Sequence, residues 1–266
     1  VFSTGGYVSV TDKVVEIVKK RSDIMINKVL ISGANKGIGF ETARQLGQQG
    51  WSILLGARSE ERGLAAVEKL KVSGVKAEWI KVDLNDVSTI HAAAKYIKAN
   101  HADLNVLINN AGIPGDMHKD ALDFTTLELR EVFDVNFFGN FEMIKAFTPI
   151  LAANNGRILN LSIPTVAKDF FSPFAYMTSK ASLNSMIAAF GAYYTKNNIS
   201  VEIFGVMPGG ITTDLNGNTT GPFMKTLPQG GKIVVGLLTD GKHHQGKVLN
   251  EYGVAMDYEA NYSLKT

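Results

Sequence analysis

The sequence predicts one doubly wound α/β domain, a mostly parallel sheet flanked by helices. Short apolar runs alternate with stretches of helical spacing from residue 28 onward, and a glycine-rich turn at 33–39 separates the first run from the first helix. No linker, repeat or low-complexity block divides the 266 residues. Strands that alternate with helices are βαβ units, whose right-handed crossovers lay helices on both faces of a parallel sheet.

Each element follows from spacing and punctuation. Residues 29–31 form a buried run that feeds the turn, after which Phe40, Ala43 and Leu46 recur at helical spacing up to Gly50. Residues 51–55 make a second strand, 61–72 a second helix ended near Gly74, 77–82 a third strand running into Asp83, and 87–100 a third helix. A fourth strand, 104–108, ends at Asn109-Asn110-Ala111-Gly112. One long helix over 127–151 is expected next, then strand 157–161, helix 175–197, strand 200–206 ending at Pro208-Gly209, and an edge strand at 247–250. The domain spans 25–266. Residues 1–24 are expected outside it, as an upstream extension where Val14, Val15, Ile17 and Val18 beside Lys19, Lys20 and Arg21 suit one short amphipathic helix.

Composition excludes several classes of function. There is no cysteine, which removes disulfides, thiolate metal sites and a cysteine nucleophile. That is compatible with a reducing compartment, and a cytoplasmic location is expected. A net charge of only +2 implies no basic face for nucleic acid. No stretch approaches the roughly 18 apolar residues of a membrane span, so no membrane partner is expected. His243-His244 is a tempting metal pair, but no third ligand stands at ligand spacing. It reads as a solvated loop, and no metal is expected.

The turn Ser32-Gly33-Ala34-Asn35-Lys36-Gly37-Ile38-Gly39 lies between strand and helix. Glycines there allow positive φ and let backbone N–H groups of Gly33, Asn35, Lys36, Gly37, Ile38 and Gly39 approach a pyrophosphate at a helix N-terminus. The domain is therefore expected to be Rossmann-type, with its ligand outside the carboxyl ends of the strands. The second strand ends at Gly56-Ala57-Arg58, where a reader of the NAD ribose would be acidic. Arg58 and Lys36 instead favour the 2′-phosphate of NADP(H) through charge-assisted hydrogen bonds. Asp83, followed by Leu84, ends the third strand where it could reach the adenine amine, or could simply cap the next helix.

Four motifs stand in order: the Gly33/Gly37/Gly39 turn, Asn109-Asn110-Ala111-Gly112, Tyr176-x-x-x-Lys180, and Pro208-Gly209 followed by Thr213. Together, over roughly residues 28–253, they resemble the short-chain dehydrogenase/reductase family. The first turn and Gly56-Ala57-Arg58 look most like its NADPH-dependent carbonyl reductases. The resemblance implies an oxidoreductase that uses NADP(H) to move a hydride between nicotinamide and a small-molecule carbonyl or alcohol. Tyr176 would be the general acid/base. Lys180, one helical turn on, would stabilise its phenolate and hold the nicotinamide ribose. Asn136 would hold a water of the proton relay, or serve only as a kink-stabilising amide. Asn110 would line the adenine ribose path, with Asn109 and Gly112 shaping the loop backbone, and Ala111 between them would also border the cofactor. Pro208, Gly209, Ile211 and Thr213 would flank the nicotinamide amide and pyrophosphate.

One position departs from the family pattern. The substrate-orienting serine usually lies 13 residues before the tyrosine, and that position here is Ile163. Ser162 could serve after a shift of the loop, Thr165 could substitute, or the site could work with weaker polarisation. The last possibility leaves open a non-catalytic or weakly active dinucleotide-binding homologue, a sensor or scaffold. Phe170-Phe171-Ser172-Pro173-Phe174 beside the tyrosine suggests an apolar or aromatic substrate, or equally loop packing or a subunit contact. Residues 216–221 suggest part of a lid. By resemblance, the helices at 127–151 and 175–197 would pair across subunits of a homodimer or homotetramer, though the apolar residues of the second could equally be intrachain core.

Overall fold

The computed structural model describes residues 27–165 and 173–256. The expected extension at 1–24, and Phe170, Phe171 and Ser172 of the aromatic stretch, lie outside them. Seven strands form one sheet: β1 (Lys28–Ser32), β2 (Ser52–Ala57), β3 (Ala77–Lys81), β4 (Val106–Asn109), β5 (Arg157–Leu161), β6 (Glu202–Val206) and β7 (Val248–Leu249). Their order is β3-β2-β1-β4-β5-β6-β7, and every pairing of neighbours is parallel.

Side chains of a strand alternate between the two faces, and both faces here are covered. Leu30, Leu54, Leu107, Ile158 and Ile203 point to one cluster. They meet Ile90 and Ile97 of α3 (Val87–Asn100), Phe147 of α5 (Asn140–Ala153) and Leu183 and Ile187 of α6 (Phe174–Lys196). The intervening Val29, Ile31, Ile53, Leu55, Ile108 and Leu159 point the other way. There they meet Ala43 and Leu46 of α1 (Gly37–Gln48), Val67 and Leu70 of α2 (Glu60–Val72) and Val234 and Leu238 of α7 (Leu227–Leu238). Burying each such side chain contributes roughly 1.5–3 kcal/mol, so the alternation fixes the register of the sheet.

Two elements differ from the sequence reading. The expected helix over 127–151 is α4 (Thr126–Phe133), a π-helical turn at Asp134–Gly139, and then α5. Helix α7 was not anticipated. Pro228 stands in its first turn, where a missing N–H costs nothing, and Gly230 and Gly231 lie within it. A Cβ on Gly231 would stand 2.8 Å from Glu41 Cγ and Gln45 Nε2, so the glycine lets α7 lie close against α1. Among the described residues no helix is long and apolar enough to cross a membrane.

Candidate active site

The direction of strand addition reverses between β1 and β4, which opens a crevice at their carboxyl ends. Into it runs the glycine-rich turn, with Gly33 at φ +65° and Gly37 at φ +63°. Asn110, at the end of β4, buttresses the turn: its Nδ2 donates to Ser32 O (2.9 Å) and Gly33 O (3.2 Å). Ser32 Oγ returns the tie by accepting from the N–H groups of Asn110 and Ala111, both at 3.1 Å. A Cβ on Gly33 would stand 2.9 Å from Ala111 Cα, and one on Gly39 would collide with Asn110 Nδ2. The amide of Asn110 therefore holds the turn, a use the sequence reading did not give it.

At Gly37 an added Cβ would meet open space. Helix α1 begins there with no side-chain cap on Lys36 and no acidic residue in its first turn. By contrast α2, α3 and α4 are capped by Ser59, Asp86 and Thr125. An open, uncapped helix start whose N–H groups lack partners fits a pyrophosphate by dipole and donor count. Arg58 is exposed at the end of β2, as a reader of a terminal phosphate must be. Lys36 has a partner that the sequence did not suggest: its Nζ lies 2.9 Å from Asp214 Oδ2. At the end of β3, Asp83 Oδ1 accepts from Asn85 N (3.1 Å), a local turn leading into α3. Leu84 is buried, against Gly139.

Tyr176 and Lys180 lie one turn apart on α6, both buried. Lys180 Nζ donates to Leu161 O at the end of β5 (2.8 Å) and sits 5.9 Å from the centre of the Tyr176 ring. The sequence reading expected the ammonium to pull the phenol down toward neutrality. Burial does the opposite, pushing Tyr176 up to about 12 and Lys180 down to about 8. Burial thus opposes ionisation of the phenol and favours release of the ammonium proton.

Asn136 is fully buried in the π-helical turn, and both ends of its amide are engaged. Oδ1 accepts from Ile113 N (2.9 Å), and Nδ2 donates to Ile113 O (2.8 Å) and Ser179 Oγ (3.0 Å). Ser179 Oγ in turn donates to Tyr176 O (2.7 Å). A Cβ on Gly112 would touch both Asn136 Oδ1 (3.0 Å) and Lys180 Nζ (3.7 Å), so three of the expected site residues converge here. The side chain ties the loop after β4 to the helix of Tyr176. Ser162 is also buried, and its Oγ donates to Asn184 Oδ1 on α6 at 2.5 Å. Its proton is committed to that helix. Ile163 and Thr165 are half-buried beside it.

After β6, Pro208 is buried and Gly209 takes φ +82°. A Cβ on Gly209 would run into the ion pair of Lys225 and Glu251, whose Nζ and Oε2 are 2.8 Å apart. Ile211 is buried and bridges to Lys225, while Thr213 caps the single turn Asp214–Asn216 and donates its N–H to Asn216 Oδ1 (3.1 Å). The bridge between Ile211 and Lys225 thus joins the two chain segments that flank residues 216–221.

A family profile described as short chain dehydrogenase matches residues 27–221. The chain belongs to that family. It is 33% identical over 251 residues to a short-chain dehydrogenase, anuI, of Penicillium roqueforti, covering 86% of this chain and 96% of that one. To the (+)-neomenthol dehydrogenase of Arabidopsis thaliana it is 28% identical over 254 residues, 71% and 84% of the two chains. Its fold is that of the NADPH-bound carbonyl reductase from chicken fatty liver, with TM-score 0.78 at 23% identity over 88% of this chain and 99% of that one.

In this short-chain dehydrogenase the histidine pair is split: His243 is exposed in a loop, as expected, whereas His244 is not solvated. His244 is buried against the Phe204 ring, with Nε2 2.9 Å from Asp240 Oδ2. No group of three metal-binding side chains exists among the described residues. The dehydrogenase also uses residues that sequence reasoning passed over. Ser179, on the helix face of Tyr176, was readable from its i+3 spacing. Asn184 and Asp214 were not, because their partners lie 22 and 178 residues away.

Proposed function

We propose that this chain is an NADP(H)-dependent reductase of small carbonyl compounds, acting also on the corresponding alcohols in reverse. The observation that carries the reading is a buried Tyr176 with Lys180 one turn away, whose Nζ is tied to Leu161 O at the carboxyl end of β5. Support for the dinucleotide comes from the open start of α1 and from Arg58 and Lys36. Several solved relatives of this fold are described as bound to NADPH or NADP.

When bound, the reduced nicotinamide supplies the hydride. The chain does the rest. Tyr176 Oη donates its proton to the carbonyl oxygen as negative charge gathers there; burial alone opposes that loss, and the ammonium of Lys180 beside it favours it. Lys180, fixed by Leu161 O, supplies positive charge beside the phenolate that remains and can donate to ribose hydroxyls. Asn136 and Ser179 position the helix, as does Ser162 through Asn184, so the proton donated to substrate comes from Tyr176. Phe174, two residues before Tyr176, packs on Phe124 with ring centres 5.8 Å apart, and aromatic rings so near the tyrosine in sequence support an apolar or aromatic carbonyl as substrate. The sensor or scaffold reading is not favoured, since the curated relatives carry dehydrogenase or reductase names.

The test is NADPH oxidation with a panel of ketones, aldehydes and diketones. Tyr176→Phe should lower kcat by at least about 100-fold while leaving NADPH affinity within a few-fold, since it deletes one proton donor and little surface. A variant that keeps full rate would remove Tyr176 from the mechanism.

A groove of about 900 Å³ between α5 and α6 is lined by Phe137, Phe141, Phe190 and Tyr193. We assign it to subunit pairing, giving a homodimer or homotetramer.

A further inference from the structure

Lys36 is a cation of the phosphate-binding turn, yet it is not held in reserve for a ligand. Its Nζ is 2.9 Å from Asp214 Oδ2, and both side chains are largely exposed. The pair joins the glycine-rich turn to the single turn after Thr213, across the crevice in which the dinucleotide would lie. Asp214 Oδ1 is also occupied, by Asn218 Nδ2 at 3.2 Å, so the carboxylate is fixed in place and stays ionised. Arg58 has no carboxylate partner among the described residues. The two cations that could read a 2′-phosphate are therefore unequal, one open and one already neutralised.

We propose that Asp214 is a specificity-setting residue that competes with the 2′-phosphate of NADP(H) for Lys36. A phosphate arriving between Arg58 and Lys36 must draw the ammonium away from Asp214, or accept a carboxylate close by. Either way the 2′-phosphate gains less than Lys36 alone would give it. A dinucleotide without that phosphate, NADH, leaves the pair intact and pays nothing. Asp214 thus narrows the preference for NADPH over NADH while leaving the rest of the dinucleotide's contacts alone. The inference rests on the NADP(H) reading above.

The experiment is fluorescence titration of NADPH and NADH into the wild type, Asp214→Asn and Asp214→Ser. Asparagine keeps the shape and the Asn218 contact, and serine keeps a turn-forming hydroxyl. Both variants should bind NADPH about two- to five-fold more tightly, the range expected for an exposed ion pair, with NADH unchanged. The gain should shrink as salt is raised and vanish in a Lys36→Met background. Unchanged or weaker NADPH binding overturns the proposal, and so does an equal shift for both dinucleotides, which would mark a general effect on the loop. Arg58→Met and Lys36→Met separate the two levels. If both lower the NADPH/NADH ratio and Asp214→Asn does not raise it, only the competition is wrong. If neither changes the ratio, the 2′-phosphate reading itself fails.

Discussion

At the scale of single residues, burial sets the chemistry of the Tyr176–Lys180 pair. Taking an ammonium out of water depresses its pKa, here from 10.5 to about 8. Below pH 8 folding therefore carries the cost of a buried charge, roughly 3 kcal/mol for that gap. Between about 8 and 10.5 the folded protein has released from Lys180 a proton that the unfolded chain still holds, so the contribution of this one group to stability rises with pH across that window and levels off above it. Lys180→Met lacks this dependence. Denaturant titrations at pH 7 and pH 10 should show the wild type gaining stability relative to the variant by up to about 3 kcal/mol as pH rises. The i,i+4 spacing made the pair legible in the sequence, but not the sign of the phenol's shift. Proximity to a cation was visible there, whereas the degree of burial depends on elements that arrive from elsewhere in the chain.

Among the elements, the π-helical turn at Asp134–Gly139 matters most for the site. Its extra residue per turn presents Asn136 inward, and Asn140 Nδ2 repairs the disturbed ladder by donating to Asn136 O at 2.9 Å. Asn136→Ala would strand the Ile113 N–H and C=O, and Ser179 would lose a donor. The expected loss is about 2–4 kcal/mol in urea denaturation, accompanied by a fall in kcat as the loop after β4 loosens from α6. The strands and most helices could be read from the sequence because their periods of 2 and 3.6 are local. The π turn was hidden inside an apparently continuous helical pattern. Helix α7 was hidden because Pro228, Gly230 and Gly231 look like breakers, while their use is to start the helix and to let it approach α1.

For the whole molecule, the parallel sheet and the ligand edge at its carboxyl ends followed from counting βαβ units, whereas the strand order came only with the structure. The outer face of α6 exposes Ala188, Ala189 and Tyr193 beside the aromatic groove, and an apolar face of that kind is costly in water. Light scattering should find the wild type as a dimer or tetramer. An Ala189→Glu/Tyr193→Glu variant should run as a monomer with an unchanged far-UV spectrum, because both positions are solvent-facing in the single chain. A wild type that runs as a monomer at micromolar concentration would remove the assignment. Helix α1 has a consequence at this same scale. Its first peptide groups are left unfinished by the chain itself, and whatever anion completes them binds the native state alone. Resistance to proteolysis, and hence the lifetime of the protein in a cell, is then tied to the local supply of dinucleotide: starving the pool shortens the survival of the catalyst that draws on it.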